Sequence, residues 1–249
     1  MNWLLLRGLS RQASHWGNFA SALSAQGHGE VVALDLPGFG AASEHKSPLA
    51  MKEIVDFLRH QFLKTHNLQK PWSLLGLSFG GMVALEWLRL FPDDFRTCVA
   101  INSSLAGICP VNERITNHGK WVLLKCLLKP SPLKKEKLIL SLTSSQHLGD
   151  TDLLASWEAI ERHHPTRTLE ALKQLLISSQ YQGPHKIATP LLVLSSQKDQ
   201  LVNPNCSARI AQKYGGVHFV HPETGHDLPL DAPEWVIEKI SFFANSHFP

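Results

Sequence analysis

The sequence predicts an α/β fold: a mostly or wholly parallel sheet of about six strands flanked by helices, with a helical cap insertion. Three observations carry that prediction. Across residues 1–104 and 185–249, short apolar runs of strand length alternate with longer amphipathic stretches. One run passes straight into a helical pattern through Gly76-Leu77-Ser78-Phe79-Gly80. Residues 105–184 contain stretches of helical period but no convincing strand.

The elements follow in chain order. Trp3–Leu6 is a buried strand ending at Gly8, and His15–Ala25 has the spacing of a helix. Val31–Leu34 is a second strand, closed by Asp35-Leu36-Pro37-Gly38. A helix at Met51–His66 leads to a strand at Trp72–Gly76. The next helix, Phe79–Phe91, is packed tightly at its start by Gly80 and Gly81 and stopped by Pro92. Thr97–Ile101 is a strand, and strands at Leu191–Ser195 and Val217–Val220 enclose a helix at Pro204–Tyr214. Pro233–Ala244 is the last helix. Strands alternating with helices build parallel β-α-β units, so helices cover both faces of the sheet. Between the two core segments, helical stretches at Trp121–Leu128, Leu133–Leu142, Asp152–His163 and Leu169–Ser179 read as a cap over the strand ends.

Composition narrows the function. At 249 residues, with 43% hydrophobic and 18% charged side chains, the chain has the material for a sizeable core and is not disordered. No apolar run approaches the ~18–20 residues of a membrane span, and Trp3-Leu4-Leu5-Leu6 lacks the flanks of a secretory signal. A cytoplasmic protein that neither crosses nor binds a membrane is expected. A net charge of +3 is too mild to argue for nucleic acid. Cys98, Cys109, Cys126 and Cys206 are scattered, which reads as packing residues in a reducing compartment. The fourteen histidines form no metal-ligand pattern, and no metal is expected.

The chemistry concentrates at Ser78. A serine between a strand and a helix is forced into a tight backbone turn, and glycines two residues to either side remove clashing Cβ atoms. The turn lifts the hydroxyl above the sheet and sets the Phe79 N–H at a helix N-terminus, where a developing oxyanion is favoured. A serine hydroxyl needs a base. His226 follows the last strand behind the flexible Gly225, and Asp199 lies just past the strand ending near Ser195. Ser78 as nucleophile, His226 as base and Asp199 as the carboxylate orienting the imidazole is the expected arrangement. The loop after the first strand, Arg7-Gly8-Leu9, offers the Leu9 N–H as second oxyanion donor.

Leu34-Asp35-Leu36-Pro37-Gly38-Phe39-Gly40 and Leu75-Gly76-Leu77-Ser78-Phe79-Gly80-Gly81 resemble motifs of the serine α/β-hydrolase superfamily. The resemblance covers nearly the whole chain and is nearest the carboxylesterase branch that includes the pimeloyl-acyl-carrier-protein methyl esterase of biotin synthesis. It implies cleavage of a carboxylic ester or thioester of a small molecule, with no metal and no organic cofactor. Carbon–carbon bond hydrolysis, lyase chemistry of the menaquinone-pathway type and aminopeptidase activity share the same constellation, and a non-catalytic ligand receptor is the rival from another class. Two departures stand out. Arg7-Gly8 replaces the family's usual His-Gly, placing a cation there for anion binding or for a buried ion pair with an acidic neighbour. The chain also starts almost at the third strand of the usual fold.

Between Pro110 and Leu140 stand Arg114, Lys120, Lys125, Lys129, Lys134, Lys135 and Lys137, against Glu113 and Glu136 alone. That face either attracts an acidic partner such as an acyl carrier protein or is a solvated face that keeps the cap soluble. Leu105, Trp121 and Leu124 are the expected substrate-pocket residues, packing on the domain or lining an acyl pocket rather than meeting a membrane.

Overall fold

In the computed structural model, which describes residues 1–27, 29–128 and 130–247, β1 (Asn2–Leu6) leads through a 3₁₀ turn (Ala13–Trp16) into α1 (Phe19–Ala25). The single helix expected over His15–Ala25 is broken because Gly17 takes φ +51°, which ends the turn and redirects the chain. β2 (Val31–Leu34), α2 (Met51–Thr65), β3 (Trp72–Leu77), α3 (Phe79–Leu90) and β4 (Cys98–Ile101) complete the first half. Five helices then separate β4 from the next strand: α4 (Val111–Arg114), α5 (Asn117–Leu127), α6 (Pro132–Thr143), α7 (Thr151–His163) and α8 (Thr168–Gln180). β5 (Leu191–Ser196), α9 (Asn205–Tyr214), β6 (Val217–His221), α10 (Leu228–Asp231) and α11 (Pro233–His247) close the chain. Each expected strand boundary falls within one residue of the observed one. The one-turn helices α4 and α10 are too short to leave a periodic signal.

Among the described residues, six strands form one wholly parallel sheet in the order β2-β1-β3-β4-β5-β6. Side chains alternate across it, as the pleat requires. Trp3, Leu5, Leu75 and Leu77 face α1 and α11, whereas Leu4, Leu6 and Leu74 face α2 and α3. Both faces are therefore buried, which explains why the strands read as continuous apolar runs rather than alternating ones. No described helix is long and apolar enough to cross a membrane.

One contact fixes the centre of the sheet. A Cβ on Gly80 would stand 2.2 Å from the Leu6 carbonyl oxygen, and one on Gly76 would stand 2.3 Å from the Gly80 carbonyl oxygen. The first turn of α3 thus rests on the β1 backbone with no side chain between them. Gly80→Ala cannot be absorbed by a rotamer change, because its obstacle is main chain. We expect it to lower unfolding free energy by about 3 kcal/mol or more in urea titration, whereas Ala at the unobstructed Gly149, where the cost is only its φ of +85°, should cost about half that or less.

Candidate active site

Three non-glycine residues among those described have positive φ: Ser10 (+58°), Ser78 (+58°) and Asn102 (+46°). They follow β1, β3 and β4, which are neighbours in the sheet, so all three lie at one C-terminal rim. Such backbone costs of order 1–3 kcal/mol per residue and persists only where surrounding bonds hold it. At Ser78 those bonds are visible. Its N–H donates to the Ile101 carbonyl at 2.8 Å, and its own carbonyl accepts from Ser103 Oγ at 2.9 Å and from the Gly81 N–H at 3.0 Å.

His226 and Asp199 meet on the same rim. The imidazole Nδ1 lies 2.7 Å from Asp199 Oδ2, with both side chains buried. Asp199 Oδ1 accepts the Leu201 and Val202 N–H groups at 2.8 and 2.9 Å, so the carboxylate is fixed by its own loop. A carboxylate acceptor puts the neutral ring's proton on Nδ1 and leaves the Nε2 lone pair available. Ser78 and His226 line one cavity of about 970 Å³. Gly8 lies beside them, since a Cβ there would stand 3.7 Å from Ser78 Oγ. Leu9 and Phe79 line the cavity too, and Phe79 opens α3, so its N–H has no intrahelical acceptor.

Asn102 supports this rim and was not singled out from the sequence. Its Nδ2 donates to the His226 carbonyl at 2.7 Å and to Ser196 Oγ at 3.0 Å, while its Oδ1 accepts the Ser196 N–H at 2.9 Å. It ties the end of β5 to the His226 loop. An Asn directly after a strand was the available signal, because Asn tolerates positive φ better than other side chains.

Arg7 forms a bidentate ion pair with Asp227, at 3.1 and 2.5 Å, and both groups are buried. Of the two sequence readings of this cation, the geometry matches the ion pair. Its guanidinium also lies 4.8 Å from the Trp16 ring centroid. Because Asp227 follows His226 and its N–H donates to the Thr143 carbonyl at 2.7 Å, the pair joins β1, the histidine loop and α6.

The far walls of the cavity come mainly from α5, α6 and α8 and are largely aliphatic, with Val122, Leu127, Ile139, Leu142, Leu172 and Leu175 among them. The Lys135–Glu161 pair and Arg114 also line it. The expected pocket residues are elsewhere. Leu105 is fully buried in the hydrophobic core. Trp121 and Leu124 are 56% and 57% exposed, because α5 turns Val122, Leu123, Cys126 and Leu127 inward and the stripe 121, 124, 128 outward. The basic face also needs correction. Arg114 is buried and donates to the Ser178 and Ser179 carbonyls, Lys135 is buried against Glu161 at 2.7 Å, and Lys129 lies outside the described residues.

The cysteines are less scattered than their spacing implied. Cys109, Cys206 and Glu113 bring ligand atoms within 4.8 Å of one another. The hydrogen bond from Cys206, helped by Arg209, draws the Cys109 thiol down to about 7 despite burial. Arg209 already holds Glu113 at 2.7 Å, and none of the three residues lines the cavity.

Residues 3–239 match the sequence profile of the Alpha/beta hydrolase family. The chain is similar to Monoacylglycerol lipase ABHD6 of Homo sapiens, 24% identical over 268 residues covering 98% of this chain and 75% of that protein. Alpha/beta hydrolase domain-containing protein VTE7 of Arabidopsis thaliana is 25% identical over 87% of this chain and 66% of its own. Among solved structures, the esterase RhEst1 from Rhodococcus sp. ECU1013 superposes with a TM-score of 0.79 at 14% identity, covering 99% of this chain and 90% of that one. The putative non-heme bromoperoxidase BpoC from Mycobacterium tuberculosis H37Rv gives 0.78 at 18% identity, covering 100% and 93%. The six-stranded parallel sheet, the serine turn and this profile agree, and the chain belongs to the alpha/beta hydrolase family.

Proposed function

We propose that the protein hydrolyses a carboxylic ester or thioester with an apolar chain, through an acyl-enzyme on Ser78. The observation that carries this reading is the His226–Asp199 bond at 2.7 Å on the rim where Ser78 is held at φ +58° above an aliphatic cavity. Relatives described as a monoacylglycerol lipase and an esterase support it.

His226 Nε2 takes the proton as Ser78 Oγ attacks the acyl carbon, and Asp199 stabilises the imidazolium that forms. The carbonyl oxygen gains negative charge, which the Leu9 and Phe79 N–H groups receive; such a donor is worth roughly 3–4 kcal/mol in the transition state. His226 then protonates the departing alcohol or thiol. Water enters, gives its proton to His226 and attacks the acyl carbon. His226 passes that proton to Ser78 Oγ as the acyl–oxygen bond breaks, releasing the acid and restoring the Ser78 hydroxyl. Arg7 and Asp227 are positioning residues, since their ion pair holds the loop that carries His226.

A fluorophosphonate probe labels Ser78 stoichiometrically in the folded protein, and Ser78→Ala removes labelling and lowers ester turnover by roughly 10⁴-fold or more. Asp199→Asn lowers kcat by about 10⁴-fold while KM changes little, because the amide favours the wrong tautomer. A folded protein showing neither labelling nor turnover on a broad ester panel sinks the proposal. Across aryl esters from two to eight acyl carbons, kcat/KM should rise by about two- to fourfold per methylene; a flat series would exclude the aliphatic wall as the acyl site. Arg7→Met strands a buried carboxylate and should cost about 3–5 kcal/mol in urea titration, most of it recovered in Arg7→Met/Asp227→Leu.

A further inference from the structure

The outer surface of the insertion breaks the usual rule for exposed side chains. Of the twelve large hydrophobic residues exposed among those described, eight lie between Val111 and Leu176. Three of them form one stripe on the outer side of α5 and its C-cap: Trp121, Leu124 and Leu128, the last 76% exposed. Three others, Val111, Leu169 and Leu172, are exposed yet also line the cavity, so its mouth is rimmed by apolar side chains. Apolar surface clustered in this way, rather than scattered singly, marks a surface that meets something.

The charges beside the stripe select the partner. Lys120, Lys134 and Lys137 are exposed and Lys125 is half-buried. None of the four takes part in an ion pair among the described residues. The acids that offset them in sequence do not do so in space, since Glu136 turns inward to Arg11 at 2.6 Å and Glu113 is held by Arg209. The Lys125 ammonium lies 3.2 Å from the Trp121 ring centroid. Lys125, Lys134 and Lys137 line a groove of about 450 Å³ with Leu128, Pro130 and Leu138, and Pro130 also lines the large cavity. Protein–protein interfaces are depleted in lysine. Exposed Trp and Leu bordered by unpaired lysines, whose stems reach along apolar surface to charged heads, instead match an anionic membrane interface.

We propose that the outer face of α5 and the start of α6 dock on an anionic lipid bilayer, with the cavity mouth alongside to receive a lipid ester. The substrate half of this inference rests on the ester-hydrolase reading above; the docking half does not. The same helix then serves two apolar environments, presenting its inner stripe to the bound chain and its outer stripe to the bilayer.

The test is co-sedimentation of the full chain with phosphatidylcholine vesicles and with vesicles in which about a third of the lipid is phosphatidylglycerol. Sedimentation is expected with the anionic vesicles only, and it weakens as salt rises. Lys134→Gln/Lys137→Gln lowers the partition coefficient by about 25-fold, and Trp121→Ser/Leu124→Ser/Leu128→Ser by at least about tenfold. Both variants keep turnover of a water-soluble short-chain ester within about twofold, which also certifies their fold, and lose turnover of a long-chain ester held in vesicles. Failure to sediment with anionic vesicles, equal sedimentation with neutral ones, or variants that bind like the parent would overturn the docking surface. So would capture of an acidic acyl carrier protein without vesicle binding. A protein that sediments with anionic vesicles but hydrolyses no ester leaves the surface standing and removes the hydrolase reading.

Discussion

The first turn of α3 lies on the backbone of β1 at van der Waals distance, and most of the rim geometry follows from that approach. With Gly80 against the Leu6 carbonyl and Gly76 beneath the Gly80 carbonyl, the chain leaving β3 has no room for an ordinary turn. It reverses at Ser78 with φ +58°, and the neighbouring strand secures that reversal through Ile101 and Ser103. Strain of this kind is stable only when it is over-determined. Here a side chain anywhere in the contact would separate α3 from the sheet and relax the turn that raises the serine.

The rest of the rim is assembled from long-range polar contacts rather than from local turns. Asn102 bridges the end of β5 to the His226 backbone, and Thr224 Oγ1 donates to Ser196 Oγ at 3.0 Å within the same buried group. Arg7–Asp227, Arg11–Glu136 and Lys135–Glu161 are ion pairs between well-buried partners, joining the core, the loop after β1 and the insertion helices. Buried pairs of this kind add little net stability over apolar packing, since desolvation offsets the Coulomb term. Removing one partner is nonetheless costly, so they fix where the insertion sits. Their signs cancel within the protein, leaving the excess positive charge on the outer lysines.

The insertion is thereby two-sided. An ordinary surface helix buries one stripe and solvates the other. α5 buries Val122, turns Leu123, Cys126 and Leu127 toward the cavity, and leaves Trp121, Leu124 and Leu128 in contact with solvent. A helix apolar on both sides needs two apolar environments, and the protein itself provides only one.

The sequence by itself determined the strands along the chain, the parallel sheet and the strand-to-helix turn at Ser78, and it nominated Asp199 and His226, because each leaves a local mark. Strands six residues long or shorter bounded by Gly and Pro, a glycine-flanked serine, and a carboxylate and an imidazole just past successive strands are all written within short windows. The tertiary structure decided everything that depends on which way a helix is rotated or on which distant groups meet. Helical period alone does not say which stripe faces inward, so Trp121 and Leu124 were indistinguishable from Val122 and Leu127 until tertiary packing had chosen a side. Leu105, in the loop after β4, was absorbed into the core by packing that no local pattern encodes. Arg7 found its carboxylate 220 residues away, and Cys109 found Cys206, through chain paths that no local pattern encodes.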